Sequence, residues 1–397
     1  MKVLQVNCVY RTGSTGKIMY DIHTELQNRG IESVVCYGRG ARVSEEHVYK
    51  TCPEWYSKLN NLLSRFTGLM YGGCFFSTAR LIRIIKRERP DVVHLHCING
   101  YFVNIYRLVT WLKESKIKTV LTLHAELMHT ANCGHAFDCE KWKTGCGACP
   151  RLRKETKSLL FDRTHTSWKR MKRAFRGFDG LAVVAVSDWI ADRAMQSPIF
   201  EGCSIRTIHN GIHTENFDSV RSLEYEKQLK LQYGIPLDKR IVLHVTPSFL
   251  NPVKGGEHVL ALAELLPEEY ICVVVGGGAV TTERLVAIPF VSNQEELAAF
   301  YKMADVFVIT SRADNYPTVC LEANCCGTPV VGFDVGGVKE TIADGMGTVV
   351  PYGDQEALCR EARVWAERKA KFDEDTVFTV KKRNSRSTMC EEYISIY

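Results

Sequence analysis

Long hydrophobic runs are missing from this sequence of 397 residues. No stretch approaches the roughly 18 consecutive apolar residues that a membrane-spanning helix needs. Residues 1–7 predict a strand, because they lack the apolar core of a signal peptide. Internal repeats and low-complexity segments are also missing, and with 45% apolar and 24% charged residues the composition is globular rather than disordered. We therefore expect a cytoplasmic protein without a membrane span.

A strong charge imbalance is missing as well, because the formal net charge is only +6. The basic residues concentrate in two segments, 80–87 and 151–176. Such stripes suit anionic lipid, nucleic acid or a sugar nucleotide, and the plain alternative is a solvated helix face. The length suits two domains of ordinary size.

Cysteine, by contrast, is plentiful, with sixteen in the chain. Scattered through predicted strands and helices, most should be free thiols in a reducing compartment. Four of them fall within seventeen residues in the spacing C-x5-C-x6-C-x2-C, namely Cys133, Cys139, Cys146 and Cys149. The last pair has the spacing of a tetrahedral metal site. The pattern predicts a structural zinc ion, and the alternative is four ordinary thiols around a packed Trp142.

Residues 309–331 carry the most informative pattern of the chain. A buried strand is predicted at 304–309, followed by a polar loop with Asp314 and then by a helix with Glu322. Open α/β sheets bind ligands where a strand ends and a helix begins, because free backbone N–H groups lie there. One of the two carboxylates can bind sugar hydroxyls and the other a ribose.

This stretch resembles the E-x7-E motif of retaining glycosyltransferases of family 4. Asp314 stands in place of the first Glu, and Glu322 begins the segment that matches E-A-x-A-x-G-x-P-V. The resemblance implies the GT-B fold, in which two Rossmann-like α/β domains face a cleft and the C-terminal helix crosses back onto the first domain. It also implies catalytic roles for Asp314, Glu322 and His124.

His124 ends a predicted strand, 118–124, and in the family this histidine contacts the donor sugar. Glu126 stands one residue later than the family's acid, and the resemblance gives it a place on the acceptor side. The loop with Gly13 and Gly16 after the first strand corresponds to the family's glycine-rich loop, and the resemblance implies that it contacts the donor phosphates. The insertion 126–152 resembles a Cys/Trp-rich insertion in exopolysaccharide transferases.

The second half of the chain corresponds to the donor side of the family. Lys254 matches a lysine that holds the donor diphosphate, whereas Ser248 stands where the family has an arginine. Lys254 and backbone N–H groups must therefore supply more of the counter-charge. The resemblance adds further donor-binding residues: Val291, Asn293, Asn315, Tyr316, Thr318 and Val319.

The predicted domains are residues 1–213 on the acceptor side, with helix 385–397 packed against them, and residues 214–384 on the donor side. The predicted reaction transfers a hexosyl unit, with retention at the anomeric carbon, from a nucleotide sugar to a glycan or lipid-linked acceptor in surface polysaccharide biosynthesis. The resemblance implies that catalysis requires no metal or other cofactor. The alternatives are a nucleotide-sugar epimerase of the same fold and a basic, zinc-bearing nucleic-acid-binding protein. We expect no nucleic-acid partner, and we expect peripheral contact with the inner face of an anionic membrane.

Overall fold

The computed structural model describes residues 1–217, 223–368 and 372–397. The chain forms two compact units, one of residues 1–209 with 390–397 and one of residues 210–389. The predicted boundaries, after residues 213 and 384, differ from these by a few positions. Ile212 forms an isolated parallel bridge with Ser385, and both residues lie in the second unit.

The first unit contains a parallel sheet whose described strands follow the order β3-β2-β1-β4-β5-β6-β7. Its strands are β1 Lys2–Asn7, β2 Glu32–Tyr37, β3 Val48–Lys50, β4 Val92–Leu95, β5 Lys118–Leu123, β6 Leu181–Ala185 and β7 Ser204–Thr207. Apart from its first residue β5 is wholly buried, as expected for a parallel strand covered on both faces. From β1 the strand order proceeds through β2 and β3 on one side and through β4 to β7 on the other. The position between β1 and β4 is therefore the switch point of a Rossmann-like sheet.

The helices of the first unit are α1 Gly13–Asn28, α2 Glu54–Thr67, α3 Phe75–Glu88, α4 Ile105–Ser115, α5 Leu127–Thr130, α6 Leu152–Glu155, α7 Thr164–Phe175 and α8 Asp188–Met195. Helix α1 begins at Gly13, within the loop that the sequence predicts after the first strand. The predicted glycine loop is therefore the first turn of this helix. Gly13 has φ +64°, a conformation that glycine adopts without strain.

The second unit repeats the same arrangement, with the strand order β10-β9-β8-β11-β12-β13. Its strands are β8 Arg240–Val245, β9 Tyr270–Val275, β10 Leu285–Ile288, β11 Val306–Ile309, β12 Val330–Phe333 and β13 Gly347–Val350. All six residues of β9 are buried. The switch point of this sheet lies between β8 and β11, which pair in parallel.

The remaining helices are α9 Leu223–Tyr233, α10 Gly256–Leu265, α11 Gln294–Met303, α12 Thr318–Cys325, α13 Gln355–Ala366, α14 Glu374–Arg383 and α15 Arg386–Ile396. Helix α15 starts in the second unit, and its end belongs to the first. There the Tyr397 hydroxyl lies 2.6 Å from Nδ1 of His94, and the Tyr393 hydroxyl lies 3.0 Å from Oγ1 of Thr122. The predicted return of the C-terminal helix to the first domain is confirmed.

Within the described ranges, no helix combines the length and the apolar character that crossing a bilayer demands.

Candidate functional site

The site in the second unit is built by two loops that leave adjacent strands. One loop runs from the end of β8 to Gly255, where α10 begins, and the other runs from the end of β11 to Pro317, where α12 begins. Because β8 and β11 flank the switch point, both loops leave the carboxyl edge of the sheet at the same place. The sequence-predicted residues Lys254 and Asp314 lie one on each loop.

Lys254 and Asp314 form an ion pair, with 2.7 Å between Nζ and Oδ2. Their side chains keep 30% and 18% of their surface exposed, so the pair remains accessible from solvent. An ammonium has more N–H donors, and a carboxylate more lone pairs, than one mutual contact uses. Each partner can therefore bind a ligand group as well.

The backbone around this pair is tightly fixed. The Thr310 hydroxyl donates to the carbonyl of Gly255 over 2.9 Å, and a Cβ added to Gly255 would lie 2.0 Å from the Thr310 carbonyl oxygen. On the other side, a Cβ on Gly336 would lie 1.9 Å from the carbonyl oxygen of Asp314. Both glycines have positive φ, +67° and +57°. Only glycine permits these close approaches, which fix the backbone positions of Gly255 against Thr310 and of Gly336 against Asp314.

Glu322 lies in helix α12 and is half-buried. Its Oε2 accepts a hydrogen bond of 2.8 Å from the hydroxyl of the fully buried Tyr301. Burial raises the pKa of Tyr301 well above its usual range, and Glu322 raises it further, so the phenol stays a neutral donor. The buried Cys320 thiol has a raised pKa, mainly through burial, and both Asp314 and Glu322 contribute to it. The two carboxylates therefore lie around the same thiol.

The other predicted donor-binding residues surround these groups. Asn315 and Tyr316 are buried in the loop, while Thr318 and Val319 form the first turn of α12. Amides in the first turn of a helix have no partner within the helix, which favours an anion or a ligand oxygen there. Ser248 is exposed in the loop after β8.

Val291 and Asn293 lie in the loop that leads into α11. The Asn293 side chain caps this helix, because its Oδ1 accepts from the backbone N–H groups of Glu295 and Glu296 at 2.9 and 3.2 Å. Val291 is half-buried. The predicted contact of both residues with the donor stays a prediction.

His124, in the first unit, belongs to a chain of hydrogen bonds at the carboxyl ends of β4 and β5. Its Nε2 lies 3.2 Å from Nδ1 of His96, and Nε2 of His96 lies 3.0 Å from Oε1 of Gln5. A carbonyl oxygen only accepts, so His96 donates to Gln5 and accepts from His124. Burial lowers the pKa of His124 to about 4. A neutral His124 supplies no positive charge at neutral pH, and its predicted contact with the donor sugar stays a prediction.

Gly16 lies in the first turn of α1, and a Cβ there would approach Cγ2 of Val9 to 3.1 Å. At Gly13 an added Cβ would meet nothing within 4 Å, so the helix N-terminus beside β1 is open on that side. The structure thus places both predicted glycines at the switch point of the first sheet. Their contact with donor phosphates stays a prediction.

Glu126 is buried, with 1% of its side chain exposed. Its Oε1 accepts from the backbone N–H of Ala136 over 2.8 Å, and its Oε2 accepts from Nε of Arg193 over 2.8 Å. Although burial alone would raise it, the pKa of Glu126 is lowered by His129, whose Nε2 lies 3.5 Å from Oε2, and by Arg193. The carboxylate therefore ties the insertion to α8, and the predicted acceptor contact stays a prediction.

Three supporting residues of these sites were missed in the sequence: Gln5, Thr310 and Tyr301. Thr310 directly follows β11, which is a position where side chains reach the ligand edge of a sheet, so a signal was present. Gln5 lies inside the predicted first strand, and Tyr301 lies just before the predicted strand 304–309. Nothing in their spacing indicates a polar partner.

Two family descriptions match the chain, Glycosyltransferase Family 4 over residues 15–216 and Glycosyl transferases group 1 over residues 226–378. WcaC of Escherichia coli (strain K12), named as a glycosyl transferase of colanic acid biosynthesis, is 25% identical over 418 residues, covering 100% of this chain and 99% of WcaC. The N-acetyl-alpha-D-glucosaminyl L-malate synthase of Bacillus anthracis is 30% identical over 370 residues, covering 90% of this chain and 85% of the synthase.

Solved structures agree with these matches at the level of the fold. HepE of Anabaena in complex with UDP superimposes with a TM-score of 0.68 at 16% identity, covering 100% of this chain and 99% of HepE. WaaG, a glycosyltransferase involved in lipopolysaccharide biosynthesis, gives a TM-score of 0.64 at 15% identity, with 99% of each chain covered. The fold is GT-B, and the chain belongs to glycosyltransferase family 4.

Proposed function

We propose that this glycosyltransferase moves a hexosyl unit from a nucleotide sugar to a hydroxyl group of a glycan or lipid-linked acceptor, with retention at the anomeric carbon, in surface polysaccharide biosynthesis. The observation that carries the proposal is the convergence of Lys254, Asp314 and Glu322 at one switch point. A nucleotide sugar offers a diphosphate, sugar hydroxyls and a ribose, which a cation and two carboxylates complement. In support, HepE has been crystallised with UDP and with UDP-glucose.

Lys254 would hold the donor diphosphate, assisted by the first amides of α10 and α12. Ser248 contributes no charge, so the ammonium and the helix N-termini together offset the anion. Glu322, whose Oε2 accepts from the Tyr301 hydroxyl, suits the ribose hydroxyls. Asp314 would orient the transferred sugar.

The transfer breaks the bond between the anomeric carbon and the diphosphate oxygen. The acceptor oxygen then bonds to the same face of that carbon, and its proton passes to the leaving diphosphate. Asp314 is engaged with Lys254, so we assign it to orientation rather than nucleophilic attack, and a front-face mechanism follows. The charge that develops on the leaving group is stabilised by Lys254 and helix dipoles, and we expect the catalytic step to require no metal or other cofactor.

One surface of the first unit has the exposed apolar side chains expected of a membrane-binding surface. Ten large apolar side chains are exposed there, and we call them the α2–α3 face: Trp55, Leu59, Leu62, Leu63, Phe66, Phe75, Phe76, Leu159, Leu160 and Phe161. Those on α2 recur every three or four residues and share one side of the helix. The side that α2 buries is polar, with Ser57, Asn60 and Ser64. The helix thus turns its apolar side outward.

The three segments of the α2–α3 face are joined to one another. The backbone N–H of Leu159 donates to the carbonyl of Arg65 over 2.8 Å, and the rings of Tyr56 and Phe76 lie 6.0 Å apart. Basic residues accompany the face: residues 54–89 and 151–176 together carry a net charge of +13, in a chain with a total of +6. Apolar surface with a basic surround suits an anionic lipid bilayer.

Membrane binding is tested by sedimentation with vesicles of phosphatidylglycerol and phosphatidylcholine. Salt should weaken binding only in part, because screening acts on the charges and leaves apolar burial in place. Phe76→Ser should reduce the salt-resistant fraction, whereas Phe378→Ser, an exposed phenylalanine on α14, should not. Equal binding by both variants would contradict the assignment of this face.

The donor is tested by a thermal-shift panel of nucleoside diphosphates and their sugars, because a ligand that binds the folded state raises the melting temperature. We expect one base to be preferred. The anomeric configuration of the product, measured by nuclear magnetic resonance, tests retention. Consumption of nucleotide sugar in the absence of any acceptor, with conversion to an isomer, would instead indicate an epimerase.

A further inference from the structure

The segment between β5 and α7 has very little apolar core of its own. Its regular structure is limited to α5 and α6, of four residues each, and the short 3-10 turn Lys141–Lys143. A small separate cluster inside it consists of Cys133, Ala136 and Trp142, with Cys146 packed against them. Trp142 is the one large side chain in that cluster. Leu127, Met128 and Ala131 join the main core of the first unit, but the rest of the segment has only this small cluster. Small folds with so little core usually add a metal or disulfides.

The four cysteines of this segment line a single cavity of about 20 Å³, together with Lys141 and Trp142. A space of this size holds about one water molecule or one ion. Cys133 is buried, and Cys139, Cys146 and Cys149 are half-buried. Burial raises the pKa of Cys146 to about 11, and the neighbouring thiols of Cys139 and Cys149 raise it as well.

Hydrogen bonds fix the backbone at each of the four positions. The N–H groups of Cys133 and Cys139 donate to Oγ1 of Thr130 and to the carbonyl of Ala136, each over 3.0 Å. The N–H of Cys149 donates to Oδ2 of Asp162 over 2.6 Å. The carbonyl of Cys146 lies 2.8 Å from Nδ1 of His165.

Lys141, which lines the cavity, fixes the Cys-x-x-Cys turn between Cys146 and Cys149. Gly147 and Ala148 have positive φ, +138° and +44°, and Nζ of Lys141 donates to both of their carbonyls, over 3.0 and 2.7 Å. This places a positive charge beside the thiols.

We propose that Cys133, Cys139, Cys146 and Cys149 bind one zinc ion in a closed structural site. In the structure no three of these four described cysteines have sulfurs mutually within 4.8 Å. Zn–S bonds of about 2.3 Å would require sulfurs about 3.8 Å apart. Each cysteine has one side-chain torsion, so rotation about it can bring the sulfurs inward while the backbone stays in place.

Binding replaces four S–H bonds by four Zn–S bonds, releases the thiol protons to solvent and changes no oxidation state. The site would order the segment that follows His124, because Ala136 donates its N–H to Glu126. With four sulfur ligands no coordination position is open for substrate, so the metal has a structural role. This distinguishes it from the catalytic groups, and the inference does not depend on the donor proposed above.

Elemental analysis of protein purified with a reductant and without chelator tests the site. We expect one zinc per chain in the wild type and in Cys203→Ser, a half-buried thiol of the same unit outside the cluster. Cys146→Ser should retain less than a tenth of the zinc. After removal of the zinc, Co²⁺ should give the intense visible absorption of a tetrahedral thiolate site in the wild type and in Cys203→Ser, but not in Cys146→Ser.

Three results would overturn the proposal. These are a metal-free wild type whose four thiols react freely, a mass that shows disulfides among them, and bound iron in place of zinc. If Cys146→Ser fails to fold, Cys139→Ser and Cys149→Ser take its place. The Co²⁺ spectrum of the wild type then decides between thiolate coordination and ordinary thiols without any variant.

Discussion

Replacing Lys254 by alanine removes the ammonium that lies 2.7 Å from Asp314. Both side chains are partly exposed, so the pair contributes at most about 1 kcal/mol to the free energy of unfolding, and the variant should melt close to the wild type. A charge-assisted hydrogen bond to the donor diphosphate contributes about 1.5–3 kcal/mol. We therefore expect the dissociation constant of the preferred nucleoside diphosphate to rise about 10- to 150-fold, measured by isothermal titration calorimetry.

Asp314→Asn provides the matched comparison, because it leaves Lys254 charged and without its carboxylate partner. This variant should bind the nucleoside diphosphate at least as tightly as the wild type while its turnover falls. Lys227→Ala, an exposed lysine on α9, serves as the charge control. An unchanged dissociation constant for Lys254→Ala would refute the assignment. A loss in Asp314→Asn as large as that in Lys254→Ala would refute the division of roles.

Two further predictions concern groups beside this pair. Glu322→Gln should weaken nucleotide binding in calorimetry, and Tyr301→Phe should weaken it less, because it removes only the hydrogen bond of 2.8 Å. Burial lowers the pKa of His244 from 6.5 to about 4. Between these two pH values the unfolded chain binds a proton at this residue and the folded chain does not. The free energy of unfolding should therefore fall between pH 6.5 and 4, by up to about 3 kcal/mol for this residue, and urea titrations of His244→Asn should show a smaller loss.

The strands and the helix around Asp314 could be predicted because their signals are local. The apolar run of β11, the polar loop and the start of α12 follow one another within about twenty residues. The ion pair could not be predicted, because Lys254 lies sixty positions away in sequence. Resemblance assigned the two residues to different parts of the donor, and only the strand order brings β8 beside β11.

Helix α2 shows a different limit of prediction from periodicity. Its apolar spacing predicts a helix, and a pattern of this kind normally faces the core. The structure turns it outward because the polar side makes specific bonds: the Ser57 hydroxyl donates to the carbonyl of Gly100 over 2.9 Å, and Oδ1 of Asn60 accepts from the N–H of Cys74 over 2.8 Å. Two distant backbone groups decide the orientation, and neither is visible in the helix sequence.

The different partners of the two carboxylates have a consequence for substrate selection. Glu322 accepts from a neutral phenol, whereas the charge of Asp314 is offset by Lys254. A donor diphosphate would compete for that ammonium and leave Asp314 a stronger acceptor for sugar hydroxyls. A nucleoside diphosphate should therefore tighten binding of a free hexose in calorimetry, since the two ligands are coupled through one ion pair. The coupling should vanish in Asp314→Asn and persist in Lys227→Ala, and equal hexose affinity with and without the diphosphate would contradict it.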